Sequence, residues 1–252
     1  MSIAILAGMA AAAGIVVFQS MRALRDPLHP NTAGHAGPSA KPSAFGSIIQ
    51  STQAPDVKLS TAEIAKSGSR AIVTVTSYDA DEKPIVEGAG FVYSSSGIVV
   101  TSYSVIRGAS SVVVQTANGE ELNVIALMGY NTNCDLAALA VLEGSLPSLE
   151  AGPGEVVQQG DSVVAMGPDN AVTEGKVGER RAMNGVDLMQ ISAQASTGWP
   201  VLNQHGKVIG TAARKRAGGS IATFAIPSRY ISDLLAEHRA ISFAQMLEET
   251  RQ

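Results

Sequence analysis

Short runs of β-branched and alternating apolar residues, separated by turn residues, dominate the middle of the chain. A capping-box pattern at Ser60 and Glu63 predicts a short helix, and the β-branched run at 70–78 predicts the strand that follows it. Further strands are predicted at 88–94, 98–102, 111–116, 122–129 and 136–142, with an Asn-Gly hairpin turn before the fourth of these. Short strands at even spacing are typical of a closed antiparallel barrel.

A second series of strands follows a connection at 147–154 that contains proline and glycine. These strands are predicted at 160–167, 173–179, 188–193, 208–213 and 221–226. The pattern therefore predicts an all-β domain at 56–252, with one barrel at about 70–146 and another at about 155–227. After it, Ser228 is predicted to cap a helix that continues to about residue 247 with an apolar face.

The N-terminal segment has a different pattern, because no charged residue occurs from Ser2 to Met21. As a helix, this stretch would span roughly 30 Å, which is about one hydrocarbon core, so residues 1–25 are predicted to be a membrane anchor. A cleaved signal peptide is an alternative favoured by the alanine run at 10–13, although no positive region precedes the apolar run. A surface helix is the other alternative, but no polar face interrupts the run.

Residues 26–55 are rich in proline, glycine, serine and alanine and are predicted to form a flexible linker. Arg22 and Arg25 follow the apolar run, and the positive-inside rule would place the downstream domain in the cytoplasm. Two arginines are only a weak signal for the orientation of the predicted membrane helix.

Composition narrows the function classes. The 252 residues carry a net charge of −4, which gives no reason to expect nucleic acid as a partner. The single cysteine, Cys134, cannot form an internal disulfide and is predicted to be a small buried apolar side chain. Two histidines fall in the linker, His205 is predicted to be exposed in a turn, and His238 is predicted on a solvated helix face, so no metal or cofactor is predicted.

Five motifs carry a resemblance to a known family. The segment 190–210 contains Ala-Ser-Thr-Gly-Trp-Pro-Val and ends in Val-Ile-Gly. It resembles the nucleophile loop of HtrA/Deg-type trypsin-fold serine proteases, where Gly-Asn-Ser-Gly-Gly-Pro-Leu presents the serine. The other four motifs lie at 90–106, 134–137, 160–167 and 224–228. The resemblance covers about 60–235 and implies two six-stranded antiparallel barrels of the trypsin type.

The same resemblance implies a damaged catalytic triad. Thr197 stands at the serine, Ser104 at the histidine, and Asp135 keeps the aspartate. The mechanism needs an imidazole to take the proton of the attacking hydroxyl, and a serine cannot do this. The threonine methyl also stiffens χ1 at the nucleophile position. We expect Asp135 to accept a hydrogen bond from Ser104 instead.

The oxyanion loop, at Ala195, Ser196 and Thr197, also departs from the family. Ala195 replaces a glycine and would constrain any conformation with positive φ. Trp199 replaces the second glycine after the nucleophile, and two interpretations are open. Its ring either obstructs the cleft or packs as an anchor of the loop.

These features leave enzymatic activity open and favour a membrane-anchored pseudoprotease that binds a protein or peptide, with active HtrA homologues among the candidate partners. A weak endopeptidase using Thr197 is an alternative, and a scaffold for assembly of a magnetosome-type organelle is another. A homo-oligomer is also an open alternative. The resemblance implies a periplasmic or lumenal domain. The segment after Pro227 is too short for the PDZ module that HtrA proteins usually carry, so no further domain is expected.

Overall fold

The structure, a computed structural model, describes residues 57–152, 157–217, 219–237 and 240–250. Within these ranges, twelve strands close into two antiparallel barrels of six strands each, which confirms the predicted barrels. The predicted anchor and linker lie outside the described residues. In the described part, no helix is both long enough and apolar enough to cross a bilayer.

The first barrel forms from strands whose apolar side chains point inward. Its strands are β1 (Ile72–Tyr78), β2 (Pro84–Ser94), β3 (Ile98–Thr101), β4 (Ser111–Thr116), β5 (Glu121–Asn131) and β6 (Leu136–Val141). They follow one another around the barrel in the order β1, β2, β3, β6, β5, β4. Phe91, Leu127, Leu136 and Leu139 are fully buried in its core. Closure gives each strand two neighbours, so the backbone groups of the barrel are paired.

The second barrel has the same construction. Its strands are β7 (Ser162–Met166), β8 (Val172–Met183), β9 (Val186–Ile191), β10 (Pro200–Leu202), β11 (Val208–Ala217) and β12 (Ser220–Pro227), in the order β10, β11, β12, β9, β8, β7. The strand pattern did not predict β10. It has three residues and begins at a proline, which is too short for an apolar alternation to appear.

Two short helices belong to the N-terminal half of the domain, and the second of them carries Ser104. Helix α1 (Thr61–Gly68) begins with the predicted capping box, in which Ser60 Oγ accepts from the Glu63 N–H at 3.3 Å and Glu63 Oε2 accepts from the Ser60 N–H at 2.8 Å. The Ser60 N–H and the Ser60 hydroxyl both donate to Glu63 Oε2, the latter at 2.7 Å, and they hold the pKa of the Glu63 carboxyl below its ordinary value. Helix α2 (Tyr103–Ile106) is a single turn between β3 and β4.

The prediction of one continuous C-terminal helix was wrong. Helix α3 (Arg229–Ala236) and helix α4 (Phe243–Glu249) are separate, because Ile241 pairs with Leu127 of β5 through two backbone hydrogen bonds of 2.9 and 3.1 Å. A second capping box at Ser242 and Gln245 then begins α4.

Ser228 is the N-cap residue of α3, as predicted, but its side chain does not cap the helix. Its hydroxyl donates to the Gly152 carbonyl at 2.9 Å and makes no capping hydrogen bond to α3. The side chain therefore ties the end of β12 to the connection between the barrels.

Candidate functional site

Ser104 reaches the surface because α2 buries the residues on either side of it. Tyr103 and Val105 are buried, whereas Ser104 is exposed. The end of β3 before this turn is anchored by Thr101, whose hydroxyl donates to the Ala89 carbonyl at 2.8 Å. A fixed strand end followed by one helical turn thus presents the Ser104 hydroxyl to solvent.

Asp135 holds Ser104 through both carboxylate oxygens. The Ser104 N–H donates to Asp135 Oδ1 at 2.7 Å, and the Ser104 hydroxyl donates to Oδ2 at 3.0 Å. The Tyr103 N–H also donates to the Asp135 backbone carbonyl at 3.3 Å. The hydrogen bond expected from the sequence is therefore present. The carboxylate accepts from a serine and its backbone, where a protease would have an imidazole N–H.

The backbone of Asp135 is left-handed, with φ of 57°. Aspartate tolerates this region better than most side chains do. The turn before it is fixed by Asn131, whose Oδ1 accepts from the N–H groups of Asn133 and Cys134 at 3.0 and 3.2 Å. This local geometry, rather than any regular strand, aims the carboxylate at α2.

Cys134 is the buried apolar side chain that the sequence predicted, with 1% of its surface exposed. Burial raises the pKa of its thiol to about 11, although backbone hydrogen bonds and then the Lys215 cation act in the opposite direction. The thiol is therefore almost fully protonated at neutral pH. A protonated thiol is a poor nucleophile, so Cys134 does not act as a nucleophile in place of Thr197.

We expect Cys134 to resist a disulfide reagent such as Ellman's reagent at pH 8 in the native chain and to react stoichiometrically in denaturant, because the folded state disfavours the thiolate. The stability due to this burial is complete below the ordinary thiol pKa and is lost as pH rises towards 11. Absorbance at the released thiolate band measures the reaction. Fast stoichiometric labelling of the native chain would contradict this assignment.

The loop that carries Thr197 joins β9 to β10 and is anchored at both ends. The Thr173 hydroxyl donates to the Gln194 carbonyl at 2.8 Å before the loop, and the Gly198 N–H donates to the Ala212 carbonyl at 2.9 Å after it. Thr197 is half-buried, and its Oγ1 accepts from the Arg214 N–H at 3.2 Å. The hydroxyl oxygen is thus engaged by the backbone of β11.

Gly198 supplies the positive φ that this loop needs. Its φ is 93°, and a Cβ at this position would overlap the Ala89 carbonyl oxygen of the first barrel. The three residues before it, Ala195, Ser196 and Thr197, do not have a positive φ. Ala195 is buried and does not have a positive φ, so the alanine causes no left-handed backbone strain in this loop.

Trp199 packs as an anchor of the loop. Its ring lies so close to Gly167 that a Cβ there would overlap the indole, and the side chain contacts the apolar core of the second barrel. The indole is half-buried. Of the two interpretations open from the sequence, the contacts favour the packed aromatic.

A cleft of about 680 Å³ opens at Ser104 and Asp135. Its other walls come from elements distant in sequence, namely Tyr103, Arg107, Tyr130, Thr132, Lys215, Glu249 and Thr250. Thr197 does not line this cleft, and no hydrogen bond joins it to Ser104 or Asp135 in the described part of the chain. The structure therefore brings two of the three predicted triad positions into direct contact.

Sequence reasoning missed the walls of this cleft. Tyr130 stacks on Tyr103 with ring centroids 5.3 Å apart, and its hydroxyl donates to Glu249 Oε2 at 2.8 Å. Lys215 enters from β11. An aromatic pair, a carboxylate on α4 and a cation on β11 have no common spacing, so no pattern in the sequence could have grouped them.

His205 is the only histidine among the described residues, and it lies far from Thr197. Its Nδ1 is 3.3 Å from the Val57 carbonyl, and the side chain is half-buried, not exposed as predicted. His205 lies in the turn before β11, whereas Thr197 contacts Arg214 further along that strand. β11 begins at Val208, and the six residues from there to Arg214 span roughly 20 Å at about 3.3 Å per residue.

Residues 88–210 match the model of the trypsin-like peptidase domain family. The serine protease HTRA1A of Danio rerio is 31% identical over 176 residues, which cover 64% of this chain and 36% of that protein. The chain is HtrA-like and contains a trypsin-like peptidase domain. The matched region includes Ser104, Asp135 and Thr197, so these positions of the HtrA-like chain lie inside the family domain.

Two further relatives of the HtrA-like chain are named as a periplasmic protease and as an anti-sigma factor. A DegP-like periplasmic serine endoprotease of Halomonas elongata is 31% identical over 166 residues, covering 60% of this chain and 35% of that protein. The anti-sigma-I factor RsgI9 of Acetivibrio thermocellus is 27% identical over 183 residues, covering 69% of this chain and 26% of that protein. The chain thus spans about a third or less of the length of these relatives.

Proposed function

We propose that this HtrA-like chain is a pseudoprotease that binds a protein or peptide partner without cleaving it. The observation that carries the proposal is the pair Ser104 and Asp135. The position of the catalytic base holds a serine, and its N–H and hydroxyl are both bound to the carboxylate. In the described structure, neither Ser104 nor Asp135 is hydrogen-bonded to Thr197, and a serine hydroxyl is not a base. Removal of a triad member lowers kcat by up to about 10⁶-fold in serine proteases.

The geometry of Thr197 supports the same proposal. An attacking hydroxyl needs a base within hydrogen-bond reach. The only described histidine, His205, lies before the start of β11, and roughly 20 Å of that strand separate its first residue from Arg214, which contacts Thr197. The Thr197 oxygen instead accepts from the Arg214 N–H. Since an alcohol is almost fully protonated near neutral pH, Thr197 is a weak nucleophile without a base.

An open strand edge supports peptide binding. β10 pairs with β11 only as far as Thr211, whereas β11 continues to Ala217 with β12 on its other side. The Ala212 N–H and carbonyl and the Arg214 N–H face away from β12 and bond to the Thr197 loop. The Arg214 carbonyl and, by the two-residue period of a strand, the backbone of Arg216 face the same side, and no described residue pairs with this last part of the edge. An extended peptide can pair with such an edge.

The test uses fluorescently labelled casein and the purified full-length chain in a mild nonionic detergent. We expect anisotropy to rise as the chain binds casein, while gels show intact casein over hours. The matched control is Thr197→Ala, which keeps the loop anchors and should behave as the parent does. Fragments that appear with the parent and not with Thr197→Ala would overturn the proposal, and the absence of any binding would refute its binding half.

The proposal includes an N-terminal membrane anchor and an extracytoplasmic domain. The uncharged run from Ser2 to Met21 supports the anchor, and the name of the DegP-like relative, a periplasmic protein, supports the location. The name of RsgI9, an anti-sigma factor, supports a regulatory role for the domain. Active HtrA homologues and a second copy of the chain belong to the proposed partner class.

We expect the full chain to remain in the membrane pellet after alkaline carbonate extraction, because about twenty apolar residues suffice to span a bilayer. A variant that lacks residues 2–21 should move to the soluble fraction. Immunoblots of the two fractions measure the distribution. Full release of the complete chain by carbonate would exclude an integral anchor.

A further inference from the structure

Three consecutive cations lie on the open part of β11, although the whole chain is acidic. Arg214 and Arg216 are exposed, and Lys215 between them is half-buried. A fourth cation, Arg107, follows α2 in the first barrel and is exposed. Arg107 and Lys215 line the same cleft, beside Ser104 and Asp135. The two barrels thus both contribute positive charge to this region, against a net charge of −4 for the chain.

None of these four cations forms an ion pair among the described residues. The two carboxylates of the cleft already have hydrogen-bond donors from the protein. Asp135 accepts from Ser104, and Glu249 accepts from the Tyr130 hydroxyl. In the described part of the chain, no ion pair joins Arg107 or Lys215 to either of these carboxylates, so both cations can pair with carboxylates of a ligand.

The cations lie beside the open backbone edge of β11, and such an edge favours a ligand with an extended peptide backbone. Side chains alternate along a strand, so Arg214 and Arg216 share one face and Lys215 lies on the other, towards the cleft. A peptide paired with this edge would place its alternate side chains within about 5 Å of these residues. Carboxylates at such positions would meet cations on both faces of the pairing strand.

We propose that the partner segment is an extended acidic peptide that pairs with β11 and places carboxylates against Arg214, Lys215, Arg216 and Arg107. This inference rests on the proposed peptide-binding function and names the chemistry of the partner. A peptide is favoured over a polyphosphate because only a peptide can use the backbone edge as well as the charges. The acidic surface of the chain as a whole would also repel a long nucleic acid.

The probe is a short fluorescein-labelled peptide in which glutamate alternates with valine. Its control has glutamine at every glutamate position. We expect the purified full-length chain in nonionic detergent to bind the acidic peptide about tenfold more tightly than the amide peptide by anisotropy. Raising the ionic strength from about 0.05 M to about 0.3 M should reduce this difference, because the paired charges are exposed.

Charge reversal at the site is expected to weaken binding of the acidic peptide by about three- to tenfold for each of Lys215→Glu and Arg216→Glu. Lys66→Glu is the matched control, since Lys66 is an exposed cation on α1 outside the cleft, and it should bind as the parent does. Circular dichroism checks folding. If a variant on β11 fails to fold, Arg107→Glu, in the exposed turn after α2, gives the same test.

The outcomes separate this inference from the proposed function. Equal affinity for both peptides, with casein competing for the site, would overturn the acidic preference and leave peptide binding intact. Failure to bind either peptide or casein would refute both. Equally tight binding of a single-stranded DNA of the same charge, lost in the same variants, would show an unspecific anion surface and would also overturn the inference.

Discussion

Replacing Asp135 with alanine is expected to lower the free energy of unfolding by about 2–3 kcal/mol. Because no peptide cleavage is expected of the parent chain, the variant should not differ from it in proteolytic activity. Two effects add in this estimate. The variant removes the carboxylate that accepts from the Ser104 N–H at 2.7 Å and from the Ser104 hydroxyl at 3.0 Å. It also places alanine at a φ of 57°, which aspartate tolerates better. Urea unfolding followed by circular dichroism measures the loss.

Two controls separate these effects. Asp169 has the same φ of 57°, and in the described structure its side chain has no hydrogen bond, so Asp169→Ala reports the backbone strain alone. Asp135→Asn keeps an acceptor oxygen and a side chain that tolerates the left-handed region, so it should lose less than Asp135→Ala. If Asp135→Ala and Asp169→Ala lose the same stability, the carboxylate does not stabilise α2 as described.

Replacing Gly198 with alanine should cost about 3 kcal/mol or more. The φ of 93° strains any L-residue, and the new Cβ would overlap the Ala89 carbonyl oxygen. That carbonyl already accepts from the Thr101 hydroxyl at 2.8 Å, so it cannot move without loss of a buried hydrogen bond. The substitution would therefore push the Thr197 loop away from the first barrel.

Gly119→Ala provides the comparison for this effect. Gly119 has a φ of 82°, but a Cβ there would meet open space, so only the backbone strain of about 1 kcal/mol applies. Thermal and urea unfolding of the two variants measure the difference. Gly198→Ala as stable as Gly119→Ala would show that the loop is not packed against Ala89.

The barrels were predictable because their strands combine short apolar runs with clear turn residues. β1 alternates buried and half-buried positions, and a glycine turn with φ of 82° at Gly119 joins β4 to β5. By contrast, β10 could not be found because a strand of three residues that begins at a proline is too short to show a period. Local pattern therefore predicted the barrels, and short elements fixed by tertiary pairing were missed.

The break in the C-terminal helix has the same origin. The apolar spacing from Ile231 to Leu247 continues the helical period, so periodicity alone predicts one helix. The observed break comes from Ile241, which pairs with Leu127, a residue more than a hundred positions earlier in the chain. A local signal did exist, since Ser242 and Gln245 form the capping box that begins α4.

For the candidate site, the sequence predicted the individual positions but not their surroundings. Ser104, Asp135 and Thr197 were identified by resemblance, and the hydrogen bond between the first two was expected from chemistry. The role of Gly198 and the engagement of Thr197 by the Arg214 N–H could not be predicted, because they depend on contacts between separate strands. The same holds for the cations that β11 and α2 bring to one cleft.

Among the described residues, no hydrogen bond joins the Thr197 hydroxyl to a group that could take its proton. A fluorophosphonate probe tests this most directly, because it labels only an activated hydroxyl, and active trypsin serves as the positive control for the reagent. We expect the full-length chain to show no labelling above that of Thr197→Ala. Labelling of the parent chain that disappears in Thr197→Ala would contradict it.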